Sequence, residues 1–60
     1  MLVDIIEWVN ENTPYSMTYY PSDKTMIIRT DKGIPVKDYI KIRRAIRPWV
    51  NNVIVKSRWS

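Results

Sequence analysis

The chain has 60 residues, with ten Lys or Arg against six Asp or Glu for a net charge of +4, 45% hydrophobic residues, a single Gly, and neither Cys nor His. A chain of this length makes one domain and hides only about 60% of the surface its unfolded form exposes; without Cys or His it has no disulfide, no usual zinc ligand set and no side chain that changes charge near neutral pH. Its apolar runs fall far short of the roughly 20 residues a bilayer span needs, and MLVDIIEW lacks the cationic segment and cleavage site of a secretory leader, so an intact, cytoplasmic protein is expected.

The net charge hides a polarity. Residues 1–12 hold Asp4, Glu7 and Glu11 with no Lys or Arg, a side-chain charge of −3, whereas residues 37–58 hold Lys37, Lys41, Arg43, Arg44, Arg47, Lys56 and Arg58, seven cations less Asp38, for +6. A field concentrated on one region steers an anionic partner better than the same charge spread evenly.

The first element is LVDIIEWVNEN. Leu2, Ile5, Ile6 and Val9 recur at the i, i+3, i+4, i+7 spacing of one helix face, with Asp4, Glu7 and Glu11 grouped opposite. Trp8 borders the apolar side and is placed with the core. The helix should end near Asn12, because Thr13 precedes Pro14 and is pushed toward extended geometry.

YSMTYYPSDKTMIIRT reads as two strands around a Pro-Ser-Asp turn, since aromatic and β-branched residues flank it. Facing Tyr20 with Thr25 pairs Tyr19 with Met26, Thr18 with Ile27, Met17 with Ile28 and Ser16 with Arg29. Side chains alternate, so Met17, Tyr19, Met26 and Ile28 share a core face, and Ser16, Thr18, Tyr20, Thr25, Ile27 and Arg29 share the other.

DKGIP carries the only Gly and breaks the pattern, after which Pro35 or Val36 opens a second helix. Neither Ile34 nor Pro35 is a good N-cap, while Asp38 in the first turn suits the helix dipole. Arg47 before Pro48 should close it. NNVIVKSRWS then alternates after an Asn-Asn turn, with Val53, Val55 and Trp59 on one side and Ile54, Lys56 and Arg58 on the other.

The expected fold is therefore a small single α+β domain, residues 1–60 in the order α-β-β-α-β, with a three-stranded sheet and both helices on one face, because there is too little apolar sequence to cover two. The crossover through the second helix should be right-handed. The third strand fits either beside the first, antiparallel, or beside the second, parallel.

At about 100° per residue, Tyr39, Ile42 and Ile46 form the core stripe of the second helix. Lys37, Lys41 and Arg44 lie roughly opposite, and Arg43 and Arg47 lie between the two stripes with Val36 and Ile40. Solvated helix backs usually mix signs, and this one has Asp38 alone among the acids. On the outer sheet face Tyr20, Ile27, Arg29, Ile54, Lys56 and Arg58 combine cations with aliphatic and aromatic side chains, the mixture single-stranded nucleic acids use for phosphate neutralisation and stacking. One Tyr is a thin stacking platform, and edge Lys and Arg also serve solubility.

Catalysis has little to rest on. A single Gly cannot build a phosphate-cradling loop, and no nucleophile elbow or paired-carboxylate motif is present. The acidic stripe makes a poor metal cage without loop carbonyls. No enzymatic activity, cofactor or metal is expected.

Two classes of function remain. One is low-specificity binding of nucleic acid, DNA or RNA, through Lys37, Lys41, Arg43, Arg44 and Arg47 of the helix and Arg29, Lys56 and Arg58 of the sheet, with Tyr20 stacking. The other is a protein-interaction module, a small inhibitor or adaptor of the kind viruses and mobile elements encode, docking on an acidic surface of a larger protein with Trp49, Trp59, Val36 and Ile40 as anchors. Marginal size also brings homodimerisation through an exposed edge or aromatic patch into consideration.

Overall fold

The computed structural model describes residues 1–57. Helix α1 spans Leu2–Asn12, strands β1 and β2 span Ser16–Tyr20 and Thr25–Thr30, helix α2 spans Val36–Ile46, and strand β3 spans Asn52–Ser57. This is the α-β-β-α-β order of a small α+β domain.

Helix α1 stops where Thr13 turns extended (φ −132°, ψ 163°) ahead of Pro14. The freed end is not left unsatisfied. The Val9 carbonyl accepts from both the Thr13 N–H (3.0 Å) and the Thr13 hydroxyl (2.6 Å), and the same hydroxyl oxygen accepts from the Tyr15 N–H (3.2 Å). Asn10 Oδ1 then accepts from the Met17 N–H at 2.8 Å, so α1 holds the start of the following strand by its backbone.

β1 and β2 pair antiparallel with Tyr20 opposite Thr25, Tyr19 opposite Met26, Thr18 opposite Ile27, Met17 opposite Ile28 and Ser16 opposite Arg29. This is the register that alternation on each strand dictates, and it leaves a four-residue turn from Pro21 to Lys24. Lys24 closes that turn at φ 54°, in the left-handed region.

β3 resolves the open question of strand order. It lies beside β2 and parallel to it, with Met26 opposite Val53, Ile27 opposite Ile54, Ile28 opposite Val55 and Arg29 opposite Lys56, so β2 is central and β1 and β3 are the edges. The Lys24 carbonyl accepts from the N–H groups of Asn51 (2.8 Å) and Asn52 (3.3 Å), anchoring the start of β3 to the hairpin tip.

α2 begins at Val36 with Pro35 as its N-cap and no side chain capping it, as its poor capping sequence implies, and Arg47 is its C-cap. Val9 of α1, Met17, Met26 and Ile28 of the sheet, and Ile46 of α2 form one buried cluster together with Tyr15 and Val50, and Leu2, Ile5, Ile6, Tyr19, Ile34, Ile42 and Val53 pack around it. Both helices therefore lie on the Met17, Met26 and Ile28 face. Met26, Ile28 and Ile46 are completely buried.

Trp8 departs from the expected packing. It is 60% exposed rather than part of the core. It sits at the flank of the α1 stripe, and across from it α2 offers Lys41, Ile42 and Ala45, of which Ile42 already packs against the core, leaving too little apolar bulk to cover an indole. Tyr15 and Val50 are core members that no periodic stripe announces, because both stand in loops.

Candidate functional site

The cationic face of α2 follows from its core stripe. Ile46 is fully buried, and Ile42 and Tyr39 are half-buried, which turns Lys37, Lys41, Arg43, Arg44 and Arg47 into solvent. None of these five makes an ion pair with a carboxylate among the described residues. On α1 the Met1 ammonium pairs locally with Asp4 at 3.4 Å. Asp4, Glu7 and Glu11 thus leave the α2 cations uncompensated by direct contact.

Asp38, the one acid on α2, is engaged elsewhere. Its Oδ2 accepts a hydrogen bond from the Tyr15 hydroxyl at 2.8 Å. That acceptor is the main reason the Tyr15 phenol is pushed above its usual pKa of 10.0, followed by burial and by the Asp38 charge. The phenol therefore stays protonated at neutral pH and serves as a structural donor.

Between α2 and β3 runs an open groove of about 680 Å³. Arg43, Arg44 and Arg47 line it with Tyr39, Ile40 and Ile46 of the same helix, Val50 and Asn51 of the following turn, and Val53 of β3. Arg43 and Arg47 are one turn apart on the flank shared with Val36 and Ile40, which are 73% and 42% exposed. Three arginines line one concavity, and no acid is among its lining residues. Each offers five N–H donors in a planar fork suited to phosphate or carboxylate oxygens.

The cations of the sheet form a separate surface. Arg29 and Lys56 are opposite one another in the β2–β3 ladder and, by alternation, on the face away from Ile28 and Val55. Because α2 packs on the Ile28 face, Arg29 and Lys56 lie on the other side of the sheet from Arg43, Arg44 and Arg47. The helix and sheet cations proposed from sequence as one binding set are thus divided between two surfaces. Tyr20 is on the outer face too, but it shares the Thr25 and Asn52 row while Arg29 shares the Ser16 and Lys56 row. Four residues of strand separate the two rows, about 13 Å. A row of Thr18, Ile27 and Ile54 fills the gap, so aromatic and cation are not interleaved there.

Of the aromatic anchors, Trp49 follows α2 in a turn held by hydrogen bonds from the Trp49 and Val50 N–H groups to the Ile46 carbonyl, at 3.0 and 3.2 Å. Its own carbonyl accepts from the Tyr19 hydroxyl at 3.2 Å, and its side chain is partly exposed. Arg58 and Trp59 lie outside the described residues. Among the described residues no group of three His, Cys, Asp or Glu is arranged to hold a metal ion, and no helix is long and apolar enough to cross a membrane.

Sequence reasoning did not identify the groove between the two helices. Met1 at the N-cap and Asp4, Ile5, Trp8 and Val9 of α1 face Lys41, Ile42 and Ala45 of α2 across about 390 Å³. Only the Trp at the border of the α1 stripe signals it. Comparison with protein-family models, curated proteins and solved structures finds no match to this chain.

Proposed function

We propose that this is a small, non-enzymatic nucleic-acid-binding protein of low sequence specificity that grips the phosphate backbone through the arginine-lined groove between α2 and β3. The observation that carries this reading is that Arg43, Arg44 and Arg47 line one concavity while no α2 cation is paired with a carboxylate among the described residues. Lys37 and Lys41 extend the same positive field along the helix. Phosphate contacts supply most of non-specific affinity and release condensed counterions. Engagement of about five phosphates gives a slope near −4.5 in log affinity against log salt on duplex DNA. A salt titration by fluorescence anisotropy with a random-sequence duplex and a single strand tests it, and affinity that is indifferent to salt overturns it.

The alternative is a protein-interaction module that presents the same flank to an acidic surface of a larger protein. Val36 and Ile40 favour it, since two exposed aliphatic side chains lie in line with Arg43 and Arg47 and would anchor a protein partner that the arginines steer. Affinity capture from a nuclease-treated lysate separates the two: a single stoichiometric protein partner supports the module, and loss of all bound material supports nucleic acid.

A further inference from the structure

We infer that the groove between α1 and α2 is closed in solution by a second copy of this chain, in a two-fold dimer whose axis runs along the groove. The groove floor is apolar, and Trp8 stands beside it 60% exposed, with Met1 at 84%. An exposed Trp at the wall of an apolar concavity is the usual anchor of an interface.

The charges of the two lips name the occupant. On the α1 side, Asp4 and Glu11 lie four residues before and three after Trp8, hence on the same flank of the helix, with Glu7 beside them, so this lip stays acidic even with the exposed Met1 ammonium paired to Asp4 at 3.4 Å. On the α2 side, Lys41 lines the groove and shares its stripe with Lys37 and Arg44. Any occupant must therefore carry an apolar stripe with bases on the side laid over α1 and acids on the side laid over α2. A second copy meets that demand with its own two helices. An axis along the groove places α1 of each copy over α2 of the other and brings Asp4 toward the partner's Lys41, whereas an axis across the groove lays like over like and is repelled. Two copies of each such pair form per dimer.

The dimer is independent of the nucleic-acid reading. Arg43 and Arg47 occupy the flank of α2 turned from α1, with Arg44 between that flank and the Lys37 and Lys41 stripe, so dimerisation leaves Arg43 and Arg47 of each copy accessible and presents two such pairs together.

Sedimentation equilibrium of the nuclease-treated full chain at low salt tests it. The expected result is a reversible monomer–dimer equilibrium that Trp8→Ala abolishes, that Lys41→Glu weakens at least about tenfold, and that the double exchange Asp4→Lys with Lys41→Glu restores. Circular dichroism confirms that each variant is folded, as the exposure of all three side chains leads one to expect. A wild-type chain that remains monomeric up to about 1 mM, a dimer that Lys41→Glu or Trp8→Ala leaves intact, or a double exchange no tighter than Lys41→Glu alone overturns the inference.

Discussion

The Tyr15 hydroxyl reaches across 23 residues of sequence to Asp38, and this 2.8 Å hydrogen bond ties the loop after α1 to the first turn of α2. Tyr15→Phe keeps the ring in the core and removes only the donor, so the urea midpoint is expected to fall without loss of fold. The pH dependence follows from the raised pKa of the phenol. The folded state holds the proton more tightly than the unfolded state, so the contribution is complete below the ordinary value of 10.0 and is lost as pH rises through the folded value. The stability difference between wild type and Tyr15→Phe should be level from neutral pH to about 9.5 and shrink above it. A pH series of urea melts on both proteins checks this.

Two double substitutions distinguish the basic surfaces. Arg43→Ala with Arg47→Ala removes two guanidinium groups from the α2–β3 groove and should lower the magnitude of the salt slope for nucleic acid by about 1.8. Arg29→Ala with Lys56→Ala removes the paired cations of the opposite sheet face and should leave the slope unchanged. The reverse pattern would move the interface to the sheet.

Ile46 is fully enclosed against Met26 and Ile28, so Ile46→Ala leaves a void that this core has little means of closing. The cost is about 3 kcal/mol. A single core in a chain this short supplies only about 3 to 5 kcal/mol in total. Thermal denaturation should therefore show a collapsed or absent cooperative transition. Ile40→Ala, on the exposed flank of the same helix, should stay within about 0.5 kcal/mol.

The two left-handed positions among the described residues are expected to respond in opposite directions. Lys24 holds φ 54°, which costs a residue bearing a Cβ about 1 kcal/mol, so Lys24→Gly should be neutral to stabilising by up to about that amount. Gly33 holds φ +84° with nothing within 4 Å of the place a Cβ would take, so Gly33→Ala meets no collision and loses only the conformational preference, about 1 kcal/mol. Chemical denaturation of both variants measures the pair.

The hairpin register is legible in the sequence because Met17 and Tyr19 on one strand and Met26 and Ile28 on the other alternate independently and agree. The place of β3 is not, since Val53 and Val55 suit a core-facing row beside either neighbour. The hydrogen bonds from Asn51 and Asn52 to the Lys24 carbonyl, which fix β3 beside β2, are contacts between backbone groups and leave no residue signature. Exposure of the α2 cations follows from Tyr39, Ile42 and Ile46 turning inward. Their separation from Arg29 and Lys56 follows from the fold class, because helices stacked on one side of a sheet face away from the side chains of the other. The bond between Tyr15 and Asp38 and the bare flank of Trp8 depend on how the two helices meet, which no local periodicity records.

The doubly used carbonyl of Lys24 has a kinetic consequence. Its two donors arrive from the far end of the α2 crossover, so they engage only once the intervening chain has closed a long loop. Hairpin closure, the more local step, is therefore expected to precede docking of the parallel strand, whose longer loop makes it the entropically costlier one. Truncation before Asn51 would leave the early hairpin without its final partner and the Met26 row open at one side.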